Sequence, residues 1–169
     1  MKKITRNSCF ETNSSSTHAI SVDSGAGLLD TLELDSHGNF SFSPSYEFGW
    51  DRETYNDPIS KLNYLYIYAR DWSGGNSEYF MRNLKEAISE HTGAERVFFN
   101  DPKVKSSWSE YSYQRGYIDH QSVECRELDP LMGDKKLIKK FLFSPNSYVE
   151  TKNDNSDWEE DEIVGLVIV

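Results

Sequence analysis

Apolar positions along the chain change period several times, and each change marks an element. Ala19-Ile20-Ser21-Val22 reads as a short strand broken by Gly25-Ala26-Gly27. Thr31 to Asp35 and Asn39 to Ser43 alternate apolar and polar residues around Ser36-His37-Gly38, a pattern that predicts a hairpin turning at the glycine. Asp57-Pro58 predicts a helix start, because Asp caps exposed amides and Pro at the first helical position sacrifices no bond. Leu62, Leu65, Tyr66 and Ala69 then share one face. A second helix follows Gly74-Gly75, with Ser77 as cap, Phe80, Met81, Leu84 and Ile88 as buried stripe, and Gly93 as terminator.

Farther along, Arg96 to Phe99 and Gly116 to His120 read as strands. Trp108, Tyr111 and Tyr113 stand among serines between Lys103 and Gln114, in a stretch too irregular to assign. Asp134 caps a third predicted helix, where Leu137, Ile138, Phe141 and Leu142 form the apolar side and Lys135, Lys136, Lys139 and Lys140 the wet one. Ser147 to Thr151 reads as a strand, Lys152 to Glu162 as an acidic loop, and Ile163 to Val169 as a last strand. Only Gly165 is not strongly apolar in that last run, so an interior position is expected for it. Strands and helices mix without regular β-α-β alternation. The expected class is α+β: one domain over residues 1–169, a mixed or antiparallel sheet, about three helices, and the C-terminal strand inside the sheet.

A chain of 169 residues suits one domain burying roughly two thirds of its unfolded surface. Aromatic residues make up 14%, so rings with polar tips or edges must supply much of the core. The formal charge of −10 argues against direct nucleic-acid binding, which needs a basic surface, and would favour a basic protein partner. Cys9 and Cys125 lack C-x-x-C spacing, which points to neither a disulfide framework nor zinc and fits a reducing cytoplasm. The basic start is followed by polar residues where a signal peptide needs an apolar stretch, and the longest apolar run, seven residues, is too short to span a bilayer. No membrane association, metal or cofactor is expected.

Candidate chemistry concentrates in Glu11 to His18, E-T-N-S-S-S-T-H, eight consecutive polar residues of which five carry hydroxyls. The run lacks the Gly, Pro and Lys of a solvated linker, so its hydroxyls are expected to have partners. Asn13, Ser14, Ser15, Ser16 and Thr17 could present hydroxyls and amides to a phosphorylated or nucleotide-like small molecule, with His18 beside them as acid or base. Alternatively, the same side chains satisfy a buried connection through local turns. A P-loop is excluded, since its glycines and lysine are missing. His120, in G-Y-I-D-H-Q-S, is a second acid-base candidate if it meets His18 in space. In the acidic loop, Asp157, Trp158, Glu159, Glu160, Asp161 and Glu162 set a large ring among carboxylates, a composition suited to a protein interface. Calcium is not expected there, because Trp158 replaces the EF-hand glycine and the twelfth position lacks Glu. The order Arg6, Ser-Thr run, Glu160-Asp161-Glu162 resembles ADP-ribosyltransferases, but Arg6 and Ser14 lie eight positions apart, where that family uses a separate later strand.

Three stretches, R-N-S-C-F-E-T-N-S-S-S-T-H-A-I from Arg6, G-Y-I-D-H-Q-S from Gly116 and F-L-F-S-P-N-S-Y-V-E-T-K-N-D-N from Phe141, resemble a family of small proteins encoded by bacteriophages and prophages of Gram-positive bacteria. The resemblance covers about the first 22 residues and the last third. It implies a phage accessory protein in the host cytoplasm that binds and inhibits a host enzyme or defence component. It also implies that the hydroxyl run, His120 and the region from Asn153 to Asn155 are family features, which favours a shared pocket more than their positions alone do.

Overall fold

The computed structural model describes residues 2–3, 16–23, 27–49, 52–101, 115–118, 128–153 and 165–168. In chain order these form β1 (Lys2–Lys3), β2 (Ser16–Val22), β3 (Asn39–Phe42), β4 (Glu47–Phe48), β5 (Glu53–Tyr55), α1 (Pro58–Ile67), a π turn (Tyr68–Trp72), α2 (Ser77–Thr92), β6 (Arg96–Phe99), β7 (Tyr117–Ile118), α3 (Asp129–Met132), α4 (Lys135–Phe143), β8 (Tyr148–Asn153) and β9 (Gly165–Ile168). The fold is α+β.

Its main sheet runs β1-β9-β2-β8-β5 and is mixed: β2 and β9 are parallel, while the other neighbours are antiparallel. The C-terminal strand is therefore interior, with β1 on one side and β2 on the other, as its apolar sequence requires. Two small parallel pairs, β3–β6 and β4–β7, complete the strands.

Helix α1 starts where Asp57-Pro58 predicts it, the Asp57 carboxylate accepting from the Ser60 amide at 2.9 Å. Every residue from Ser60 to Ala69 is buried, so beyond its first turn, where Ile59 is exposed, this helix has no wet face. It packs against α4, β7 and β8. An enclosed helix must satisfy its own polar side chains. Lys61 donates to the carbonyls of Ser144 at 2.8 Å and Ser147 at 3.2 Å, beyond the C-terminal end of α4. Asn63 donates to the Ile59 carbonyl and accepts from the Ser45 amide, both at 3.0 Å.

The Ser-Pro-Asn-Ser segment around that ammonium is a structural plug. Ser147 accepts from the Asp23 amide at 3.0 Å and donates to the Lys140 carbonyl at 3.1 Å, while Ser144 and Asn146 both donate to the Asp23 carboxylate. The end of β2, the end of α4 and the start of β8 are joined there.

Helix α2 ends at Gly93 in the left-handed conformation, φ 76°, and buries Phe80, Leu84 and Ile88, with Met81 half-buried. Its N-cap is Asn76 rather than Ser77, which is already helical, and Asn76 makes no side-chain capping bond. Asp134 caps α4 by accepting from the Lys136 amide at 2.8 Å. The lysine side of α4 is not simply wet. Lys135 reaches Glu86 at 3.0 Å and Glu90 at 2.7 Å, and Lys139 reaches Glu90 at 2.7 Å, because α2 lies alongside. Hydrogen bonds from Lys135, then Lys139, hold the Glu90 carboxyl down at about 2.

The hairpin predicted around Gly38 is not formed. The turn exists: Asp35 accepts from the His37 and Asn39 amides, both at 2.8 Å, and Gly38 takes φ 74°. Only the second arm, β3, is a strand, and its partner is the distant β6. The first arm follows Leu29 and Asp30, whose amides both bond the Phe143 carbonyl at the end of α4 at 3.1 Å, which ties the start of that arm to the helix, while only Asp35 at its end bonds β3, through the Asn39 carbonyl at 2.8 Å.

Burial presses the Lys61 ammonium down to about 8, against nearby Asp30 and Asp57, which favour the charge. The folded state thus loses this proton near pH 8, while an unfolded lysine holds it to about 10.5. Between those values the unfolded chain binds more protons, so stability rises with pH. Urea denaturation at pH 7.5 and 9.5 should show a gain of about 2 kcal/mol in the wild type that Lys61→Met lacks. Stopping below pH 10 avoids Tyr66, whose hydroxyl burial shifts upward.

Candidate functional site

Strand β2 places His18 by simple alternation: His18, Ile20 and Val22 are buried and share the face toward the helices. From Ala19 to Ser21 the strand is paired on both sides, with β8 and β9, whereas Ser16, Thr17 and His18 pair, among the described residues, with β8. Ser16 lies opposite Asn153, Thr17 opposite Lys152 and His18 opposite Thr151.

From this strand the His18 ring reaches α1. Its Nδ1 and the Tyr64 hydroxyl are 2.9 Å apart, with ring centroids at 5.7 Å, and the two residues are only 8% and 3% exposed. Tyr64 in turn meets Phe48 edge-on at 5.1 Å, and Phe48 meets Tyr55 edge-on at 4.9 Å and stacks on Tyr46 at 6.0 Å. The Tyr55 hydroxyl donates to Glu53, which lies opposite Thr151. One aromatic cluster thus joins β2, α1, β4 and β5.

Phe48 also pairs with Ile118 of β7, two residues before His120. In β4, Glu47 keeps one buried carboxylate oxygen, Oε1, without a hydrogen-bond partner among the described residues.

A hydrogen-bonded His–Tyr pair can exchange a proton between ring nitrogen and phenol, but general acid-base work also needs contact with a reactant. Here the ring is enclosed and bonded to a core helix, the arrangement of a tie between sheet and helix. The register does bring Asn153 beside Ser16, so part of the expected ligand set converges along the β2–β8 ladder. Asn13, Ser14, Ser15, His120 and Asp157 to Glu162 lie outside the described residues, as do the side chains of Ser16, Thr17 and Asn153.

Sequence reading missed Tyr64, Lys61 and Glu47. A signal for Tyr64 was present: Tyr64, Tyr66 and Tyr68 at every second position circle a helix instead of lining one face, as a helix buried all round would require. Among the described residues no group of three His, Cys, Asp or Glu side chains is placed to hold a metal, and no helix is long and apolar enough to cross a membrane. Comparison with protein-family models, curated proteins and solved structures returns no match.

Tyr64→Phe keeps the ring and its edge contacts while deleting the hydroxyl bonded to His18. Urea titration at pH 7.5 should show a loss of about 1 kcal/mol, the net worth of one buried hydrogen bond, with an unchanged m-value.

Proposed function

We propose that this chain is a phage-type accessory protein that binds and modulates or inhibits a host or defence component through an acidic, aromatic-bearing surface. The observation that carries the reading is the inward placement of the best acid-base candidate: His18 is buried and engaged with Tyr64. Chemistry needs a reacting group within reach of a substrate, whereas capture needs only surface. The surface has suitable material. A net charge of −10 attracts a basic partner over long range, and Tyr79, Phe98 and Tyr46 are exposed rings of the kind that anchor interfaces. In the sequence, Asp154 to Glu162 holds six carboxylates in nine residues around Trp158.

A second reading has one specific support, the register that sets Asn153 opposite Ser16. In it, Asn13 to His18, with His120 and Asn153, bind a phosphorylated or nucleotide-like molecule.

The two readings separate in host lysate. Immobilised chain should retain a protein partner that is lost when Asp157, Glu159, Glu160, Asp161 and Glu162 are changed to Lys, while Ser15→Ala with His18→Ala leaves capture intact. Retention of a small molecule, with thermal stabilisation by nucleotide mixtures abolished by the Ser15 and His18 changes, would reverse the assignment.

A further inference from the structure

Strand β6 pairs in parallel with β3, Phe40 opposite Val97 and Phe42 opposite Phe99. Along a strand the amide and carbonyl of one residue point to one neighbour and those of the next residue to the other side. Two bonds fix which is which here. The Asn100 amide donates to the Phe42 carbonyl at 2.8 Å, and on the far side of β3 the Asn39 carbonyl accepts from the Asp35 amide, also at 2.8 Å. Phe98 and Asn100 therefore direct their amides at β3, while Val97 and Phe99 turn theirs outward, where no strand of the described residues pairs with them.

The two edges of this small sheet differ. On β3, Asp35 takes both the amide and the carbonyl of Asn39. On β6, nothing comparable stands among the described residues, and Arg96 to Phe99 contains neither proline nor bulge, the devices that blunt an edge. Side chains alternate across the strand: Val97 and Phe99 pack on the core, and Arg96 and Phe98 stand on the other face, with Phe98 41% exposed.

Charge around this edge runs against the net −10 of the chain. Arg82, Lys85 and Arg96 make no ion pair among the described residues. Lys85 lies 5.1 Å from the Phe99 ring centroid and Arg82 5.3 Å from that of Tyr79. The neighbouring acids are mostly committed, Glu86 and Glu90 to Lys135 and Lys139, and Asp101 to Arg70 and Arg115. Glu78 and Glu95 are left against three cations.

We propose that β6 is a docking edge for an extended acidic segment of another protein, which adds to the sheet as a third strand. Val97 and Phe99 supply two donors and two acceptors to the segment's backbone. An apolar side chain of the segment covers Phe98, and a carboxylate two positions away meets Arg96, with Lys85 adding attraction at the Phe99 end. Backbone bonds hold such a segment and the side chains on alternate positions select it. This edge draws the charge opposite to the one the whole chain attracts, so it stands apart from the acidic surface.

Amide hydrogen exchange of the full chain tests this with a capped peptide, Thr-Glu-Thr-Ile-Thr-Glu-Thr, whose symmetry sets Ile against Phe98 and a Glu against Arg96 in either strand direction. Without peptide, the Val97 and Phe99 amides should exchange at least about tenfold faster than those of Phe98 and Asn100. Saturating peptide should slow Val97 and Phe99 about tenfold and leave Phe98 and Asn100 unchanged, and the same peptide with Lys for Glu should slow neither. Arg96→Glu, at an exposed position, should reverse that preference. Slow exchange of all four amides in the chain alone overturns the open edge, and no slowing by the Glu peptide, or equal slowing by both peptides, overturns the acidic occupant. Slowing that grows with protein concentration in the absence of peptide also overturns it, because a second copy then holds the edge. Should Arg96→Glu fail to fold, the two peptides on the wild-type chain still decide the matter.

Discussion

The structure depends on the complete enclosure of α1. From Ser60 onward the helix meets protein on every side and leaves no side chain to water, so each polar group there must find a partner inside or incur the cost of burial unpaired. Lys61, Asn63, Tyr64, Tyr68 and Arg70 all have such partners, each on a different part of the chain. Lys61 takes the end of α4, Asn63 the approach to β4, Tyr64 the middle of β2, Tyr68 the start of α3 through Asp129, and Arg70 the stretch before β7. Hydrophobic burial gathers these elements around the helix, and the directional bonds determine where each one stops.

This arrangement changes the meaning of the chemically suggestive residues. Histidine beside hydroxyls invites a catalytic reading when seen in one dimension. In three dimensions the His18 ring is the sheet's half of a bond whose other half is the central helix, and the strand carrying it is paired on both sides. The Ser-Pro-Asn-Ser segment, one of the stretches behind the phage-family resemblance, likewise holds Lys61 and Asp23. At both places the polar residues make the structure possible.

Elements whose signals are local were readable in advance. Asp57-Pro58 and Asp134 cap helices where they stand, Gly93 ends α2 through its positive φ, and the final apolar run becomes a strand covered by two neighbours. The predicted arm from Thr31 to Asp35 failed for a nonlocal reason. Its alternation suits a strand, but the preceding amides are held by Phe143, more than a hundred residues away. The lysines of α4 were legible as one face, yet nothing in their spacing reveals that the acids of α2 lie against them.

Composition, periodicity and capping residues by themselves determined the α+β class, the main helices and the interior C-terminal strand, because each of these depends on residues within a turn or two of one another. Only the tertiary structure decided that α1 is buried all round, that His18 meets Tyr64 across 46 positions, and that Arg70 gathers residues 101, 115 and 116. Those pairings arise from how layers stack after the elements exist, and sequence separation carries no information about which distant polar group will complete a buried one.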